Sequence, residues 1–258
     1  MAAPILVTGG TGRLGYRVVG RLREAGRDVR VLSRRNRPLE DGIRFMVGDL
    51  TTGESVAAAV DGVAAIVQCA TASKGDVEAT KTLLRAVSAA GERPHLIYIS
   101  IVGVDRQPLD YHRAKLEVEH VVEDSRLPWA ILRATMFYDY TMAILGTVTK
   151  LPVVPIPTGV LSKPMDPDEV AARLVELAVG EPAGRVPDIS GPEVMDAIDM
   201  VRTYLRATHR RRLIVPFRMP GKAMAAIRAG ALLPKDDGSA ERVGRGRTWA
   251  RYLAQQLG

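Results

Sequence analysis

Residues 4–15 leave this chain few folds to choose from. An apolar run, Pro4 to Val7, breaks at once into Thr8-Gly9-Gly10-Thr11-Gly12-Arg13-Leu14-Gly15 and then resumes as a helical pattern. The order is strand, glycine-rich turn, helix. Gly9 permits a sharp turn off the strand, Gly12 removes a Cβ where a pyrophosphate must approach the backbone, and Gly15 lets the helix pack against the sheet. Leu14, Val18, Val19, Leu22 and Ala25 recur at helical spacing, and the pattern stops at Gly26. The helix start therefore aims free N–H groups and the positive end of its dipole at an anion, and a dinucleotide is the ligand predicted.

The next segments extend that unit. Asp28 to Ser33 reads as a second strand, and it ends on Arg34 and Arg35 rather than on an acidic residue. A carboxylate there bonds a ribose 2′-hydroxyl, whereas arginine pairs with a 2′-phosphate, so NADP is expected over NAD. Ile43 to Val47 is a third strand followed by Gly48-Asp49-Leu50, where Asp49 either bonds the adenine amino group or caps a helix from Thr52 to Val60. Ala64 to Gln68 is a fourth strand, continuously apolar and so covered on both faces. Cys69 and Ala70 follow it, and the thiol has no visible catalytic partner and reads as structural. A helix from Asp76 to Ala90 and a strand from His95 to Ser100 continue the alternation. Strands separated by helices predict an α/β, doubly wound parallel sheet.

Chemistry is expected beyond that fifth strand. Tyr111 and Lys115 lie four apart on one helical face whose stripe continues through Val118, Val121 and Val122. A lysine at the head of a core-facing surface is costly unless something pairs it, and a bound ligand is one answer. Its charge favours tyrosinate and so eases proton transfer from Tyr111 to a carbonyl oxygen, which Ser100 also reaches from the strand end.

Thr8 to Gly15, Gly48-Asp49-Leu50, Ile99 to Asp105 and Tyr111 to Lys115 together resemble the atypical, NmrA-like branch of the short-chain dehydrogenase/reductase superfamily, over roughly residues 3–140. The resemblance implies a Rossmann fold, NAD(P) at the glycine loop, and a Ser100, Tyr111 and Lys115 catalytic group. The span from Ser100 to Tyr111 is shorter than in standard members. The expected cofactor contacts are Gly9, Thr11, Gly12, Arg13, Leu14 and Gly15, then Arg34, Arg35, Asp49, Leu50, Cys69, Ala70, Lys115 and Thr135.

Trp129 to Leu132 supplies a sixth strand, and Met136, Phe137 and Tyr138 beyond it are expected against the substrate. Prolines at 152, 155, 157 and 164 mark a change of texture, and Asp166-Pro167-Asp168-Glu169 gives a helix start with Val170, Ala171, Leu174 and Val175 facing inward. The expected division is a nucleotide-binding domain over 1–150 and a smaller substrate lobe over 151–258. Within that lobe, Phe217 to Pro234 mixes apolar and basic residues between glycines 221 and 230. It reads as core-facing helix or as a mobile cover over an apolar substrate.

The remaining composition excludes several classes. No apolar run reaches the roughly 18 residues of a membrane span, and no basic-then-apolar leader opens the chain. A single cysteine fits a reducing, cytoplasmic setting. The net charge of +7 gathers in late arginines, at 202, 206, 210, 211 and 212 and again at 242, 245, 247 and 251. Without aromatic interleaving these read as a solvated face, and nucleic-acid binding is not expected. No metal site is expected either. The sequence thus favours an NADPH-dependent reductase acting on a carbonyl, quinone or enone of a small apolar molecule. A non-catalytic NADP-binding sensor acting through a protein partner is the alternative.

Overall fold

The glycine turn joins β1 (Ile5–Thr8) to α1 (Arg13–Glu24) in the computed structural model, which describes residues 3–35, 43–71, 75–235, 240–242 and 246–258. The chain continues through β2 (Val29–Ser33), β3 (Ile43–Val47), α2 (Val56–Val60), β4 (Ala65–Gln68), α3 (Asp76–Ala89), β5 (His95–Ile101), α4 (Asp110–Glu123) and β6 (Trp129–Ala134). After these come α5 (Tyr138–Val148), β7 (Val153–Pro157), β8 (Leu161–Ser162), α6 (Pro167–Val179), β9 (Gly184–Arg185), β10 (Asp188–Ser190) and β11 (Met195–Asp196). The last elements are α7 (Ala197–Ala207), β12 (Leu213–Phe217), α8 (Lys222–Arg228), β13 (Ala240–Arg242) and α9 (Trp249–Leu257). Two compact units share them: Met1–Ser100, Asp110–Leu132 and Val170–Val186 form one, and Ile101–Leu109, Arg133–Glu169 and Pro187–Gly258 the other.

The first unit is the doubly wound sheet that the alternation predicts, in the order β3-β2-β1-β4-β5-β6. Neighbouring strands from β3 to β5 run parallel, with Ile5 opposite both Val29 and Ala65, and Ala65 opposite His95. Every residue of β1 and β4 is buried, because helices cover both faces of a parallel sheet. Leu6, Ile66, Leu83, Leu96, Val118 and Ile131 form its core. The chain runs outward from β1 to β3, then returns to β4 and runs outward the other way. The order therefore switches between β1 and β4, the place where such sheets take their ligands.

Local departures have local causes. Ala25 caps α1 and is exposed, so the inward stripe stops at Leu22. The helix expected from Thr52 begins only at Val56, since Ser55 before it adopts a left-handed φ of 56°. The sixth strand runs two residues further than its pattern, to Ala134.

His95 opens β5 buried, and neither ring nitrogen finds a partner among the described residues. Burial holds its pKa below the ordinary value, against the pull of Glu181, and burial does the same to His112. Both rings therefore take up a proton less readily when folded than in the unfolded chain, whose imidazoles charge as pH drops below about 6.5. Stability is expected to be flat above that pH and to fall below it, by at most about 1.4 kcal/mol per pH unit for each proton. Thermal melts between about pH 8 and pH 5 check this, and a His95→Leu, His112→Leu double variant with an undiminished acid slope would refute it.

In the second unit, β7 pairs in parallel with β12, β8 pairs antiparallel with β11, and β10 pairs with β13 and with Ala134. Asp166 caps α6 by accepting the Asp168 N–H at 2.9 Å, and Pro167 occupies the first turn, as the sequence indicates. Of the Phe217 to Pro234 segment, Met224 and Ala231 are buried, and the Arg106 guanidinium donates to the carbonyls of Gly230 at 3.2 Å and Leu233 at 2.5 Å. Among the described residues no helix is long and apolar enough to cross a membrane. Arg245 of the late basic cluster lies outside the described residues, as does the Arg242 side chain.

Candidate active site

The turn after β1 is shaped by close backbone packing. Gly9 has a φ of +68°, and a Cβ there would stand 2.6 Å from the Ala70 nitrogen. The Thr8 carbonyl accepts the Cys69 N–H at 3.1 Å, so the ends of β1 and β4 are tied together under the loop. Gly12 contrasts with Gly9. A Cβ on it would meet only the Gly9 carbonyl, at 3.2 Å, leaving its outer face clear. Gly12 offers no side-chain cap to α1 and no acidic residue stands in its first turn, so neither competes with an anion for its leading N–H groups. This cradle fits a dinucleotide pyrophosphate. Thr11 and Arg13 are exposed around it, while Leu14 is turned into the core.

Arg34 and Arg35 follow β2 on the exposed surface, two and three residues past the Leu32 to Thr8 pairing. The Ser33 hydroxyl shapes their turn, accepting the Arg35 N–H at 3.2 Å and donating to the Arg35 carbonyl at 3.0 Å. Asp49 is half-buried and accepts the Thr51 N–H at 2.8 Å, a local turn that stops short of capping α2. Leu50 is a correction: its side chain is buried in the core rather than set against a cofactor. Burial pushes the Cys69 thiol up to about 12, which leaves it protonated and inert.

Tyr111 and Lys115 come together at the head of α4, but their environments differ. Tyr111 is 40% exposed and Lys115 only 3%, with its ammonium 5.9 Å from the Tyr111 ring centre and 5.1 Å from that of Tyr98. The lysine is countered by the protein itself: Asp76, at the start of α3, places Oδ2 3.4 Å from Nζ. Burial draws the Lys115 pKa down, and Asp76 first, then Cys69 and Glu119, oppose it. Burial pushes the Tyr98 phenol up, with Asp76, Glu119 and Tyr111 adding to the effect, so Tyr98 remains a neutral wall. Ser100, next to last in β5, is buried, with a hydroxyl that has no partner among the described residues. An orphaned buried hydroxyl suits a ligand oxygen.

Sequence reasoning missed Asp76 and Thr71. The Thr71 hydroxyl donates to Asp76 Oδ2 at 2.8 Å and lies 3.5 Å from the Tyr111 hydroxyl. No spacing rule links residues 71, 76 and 111. In the second unit, Thr135 is buried and donates to the Lys163 carbonyl at 2.6 Å, while Met136 and Phe137 are half-buried. Tyr138 is a second correction. It is 1% exposed, packs against Trp249 and Tyr252 with ring centres 5.4 and 5.2 Å away, and donates to the Arg247 carbonyl, which makes it core rather than substrate wall.

A family described as NAD(P)H-binding matches residues 9–178. The chain belongs to it. It is an NAD(P)H-dependent oxidoreductase. A (4-alkanoyl-5-oxo-2,5-dihydrofuran-3-yl)methyl phosphate reductase of Streptomyces griseus is 30% identical over 215 residues, 80% of this chain and 74% of that protein. A divinyl chlorophyllide a 8-vinyl-reductase of Oryza sativa is 30% identical over 220 residues, 73% of this chain and 54% of its own length. The fold is also that of an Escherichia coli NADPH-dependent quinone oxidoreductase, with a TM-score of 0.80 at 16% identity over 98% of this chain and 100% of that one.

For this NAD(P)H-binding protein, the two arginines after β2 carry a direct prediction. Changing Arg34 and Arg35 together to Ala is expected to weaken NADPH by about 30-fold while sparing NADH, since a charge-assisted bond to a phosphate is lost. Titration calorimetry with both cofactors decides it, and equal losses would show that these side chains do not read the 2′-phosphate.

Proposed function

We propose that this oxidoreductase uses NADP(H) to reduce a carbonyl, quinone or enone of a small, largely apolar molecule. The observation that carries the reading is the exposed Tyr111 hydroxyl standing over a buried, protein-countered Lys115. Bound NADPH supplies the hydride. The protein's part is the proton: Tyr111 gives it to the substrate oxygen, and the Lys115 charge beneath the ring stabilises the phenolate left behind. Ser100 donates to the same oxygen. The Gly9 to Gly15 cradle binds the pyrophosphate, and Arg34 and Arg35 bind the 2′-phosphate. Half-buried Met136 and Phe137 suit an apolar substrate, and reductases among the relatives support the reaction type.

NADPH consumption across a panel of ketones, quinones and enones tests the proposal. Turnover is expected with at least one class and little with sugars or other strongly polar carbonyls. Tight NADPH binding with no turnover on any class would discard the reductase reading in favour of a nucleotide-sensing protein.

A further inference from the structure

We propose that Asp76 is a positioning residue of this site, directing the Tyr111 hydroxyl through Thr71 and holding Lys115 charged by direct pairing. The inference rests on Tyr111 being the proton donor of the reaction proposed above. The hydrogen bonds give the chain a direction. A carboxylate only accepts, so the one Thr71 hydroxyl proton is committed to Asp76 Oδ2, 2.8 Å away. The Thr71 oxygen therefore has only lone pairs to offer Tyr111, and across their 3.5 Å separation Tyr111 is the donor. The phenol proton then points at Thr71 in the resting protein and the lone pairs point elsewhere. Thr71 thereby holds the Tyr111 hydroxyl oxygen in one position, from which the proton passes to a substrate oxygen entering within reach.

The same oxygen of Asp76 also faces Lys115 Nζ at 3.4 Å, and both side chains are buried, at 8% and 4% exposed. A buried ammonium without a counter-charge loses its proton more readily than one beside a carboxylate. The groups facing Lys115 are Asp76 from α3, Cys69 after β4, Tyr98 from β5, and Tyr111 and Glu119 from α4. Asp76 is the carboxylate that raises its pKa most, with Oδ2 3.4 Å away. Its position is itself fixed, because Thr80 donates to the Asp76 carbonyl at 2.8 Å and Gln68 donates to Thr80 at 2.6 Å, which locks the first turn of α3 to the end of β4.

Two measurements test the proposal. In full-length protein carrying isotope-labelled lysine, with the Lys115 signal identified by its loss in Lys115→Met, Asp76→Asn is expected to lower the Lys115 titration midpoint by about one pH unit or more. That readout uses neither substrate nor cofactor, so it stands whether or not Tyr111 proves to be the acid, and an unmoved midpoint overturns the pairing role. Thr71 is exposed, so Thr71→Val keeps the test alive should Asp76→Asn not fold. It is expected to lower kcat about tenfold with KM and NADPH affinity unchanged, and Thr71→Ser to restore it. A kcat unaffected by Thr71→Val, or a loss that Thr71→Ser does not repair, overturns the directing role.

Discussion

Tyr111→Phe is expected to leave NADPH binding within about twofold of the parent and to lower turnover by roughly 100-fold or more, the scale of a lost general acid. The separation of the two readouts follows from where the ring sits. Tyr111 is at the exposed head of α4 and contributes little to the core, so removing its oxygen changes neither packing nor the glycine cradle. Lys115 remains paired with Asp76 in the variant, so the charge beneath the ring persists. Single-turnover and steady-state assays with the best substrate from the panel measure the effect. Turnover equal to the parent's would show that the proton comes from another group, Ser100 or water.

The second large effect is expected at Gly15. A Cβ on this residue would stand 2.2 Å from the Gly9 carbonyl oxygen and 2.8 Å from the Gly10 Cα, and both obstacles are backbone. Neither can rotate away, so the phosphate loop must shift bodily. Gly15→Ala is expected to weaken NADPH on the order of 100-fold and to destabilise the fold by about 1–3 kcal/mol, the usual range for overpacking. Gly20 supplies the control within the same helix, because a Cβ there meets nothing within 4 Å. Gly20→Ala is expected to stabilise by about 0.5–1 kcal/mol, through the lower entropy of its unfolded chain. Calorimetric melts and cofactor titration compare the two, and similar behaviour of both variants would sink the steric argument.

The features legible from sequence share one property: they are local. The Gly9 to Gly15 turn, the arginines just past β2 and the four-residue step from Tyr111 to Lys115 are each written within one element or its edge, where backbone geometry dictates residue type. Asp76 and Thr71 stayed hidden because their meaning depends on two distant segments meeting. On its own Asp76 looks like an ordinary acidic residue in the first turn of a helix. Tyr138 failed for the opposite reason. Its position after the sixth strand suggested a substrate wall, but Trp249 and Tyr252, more than a hundred residues later, enclose it. Leu50 likewise sits in a short motif that the sequence alone assigns to the cofactor, while its side chain packs in the core.

The two compact units also bear on how such proteins can be rebuilt. The chain crosses between them five times, and Val170, Ala171 and Leu174 are completely enclosed on the part of α6 that belongs with the nucleotide-binding sheet. A fragment ending near residue 150 would discard that helix and the strand β9 that pairs with β6. Grafting a new specificity onto this scaffold from a relative therefore demands matched splices at several junctions, and a single crossover would yield a chimera with an open sheet.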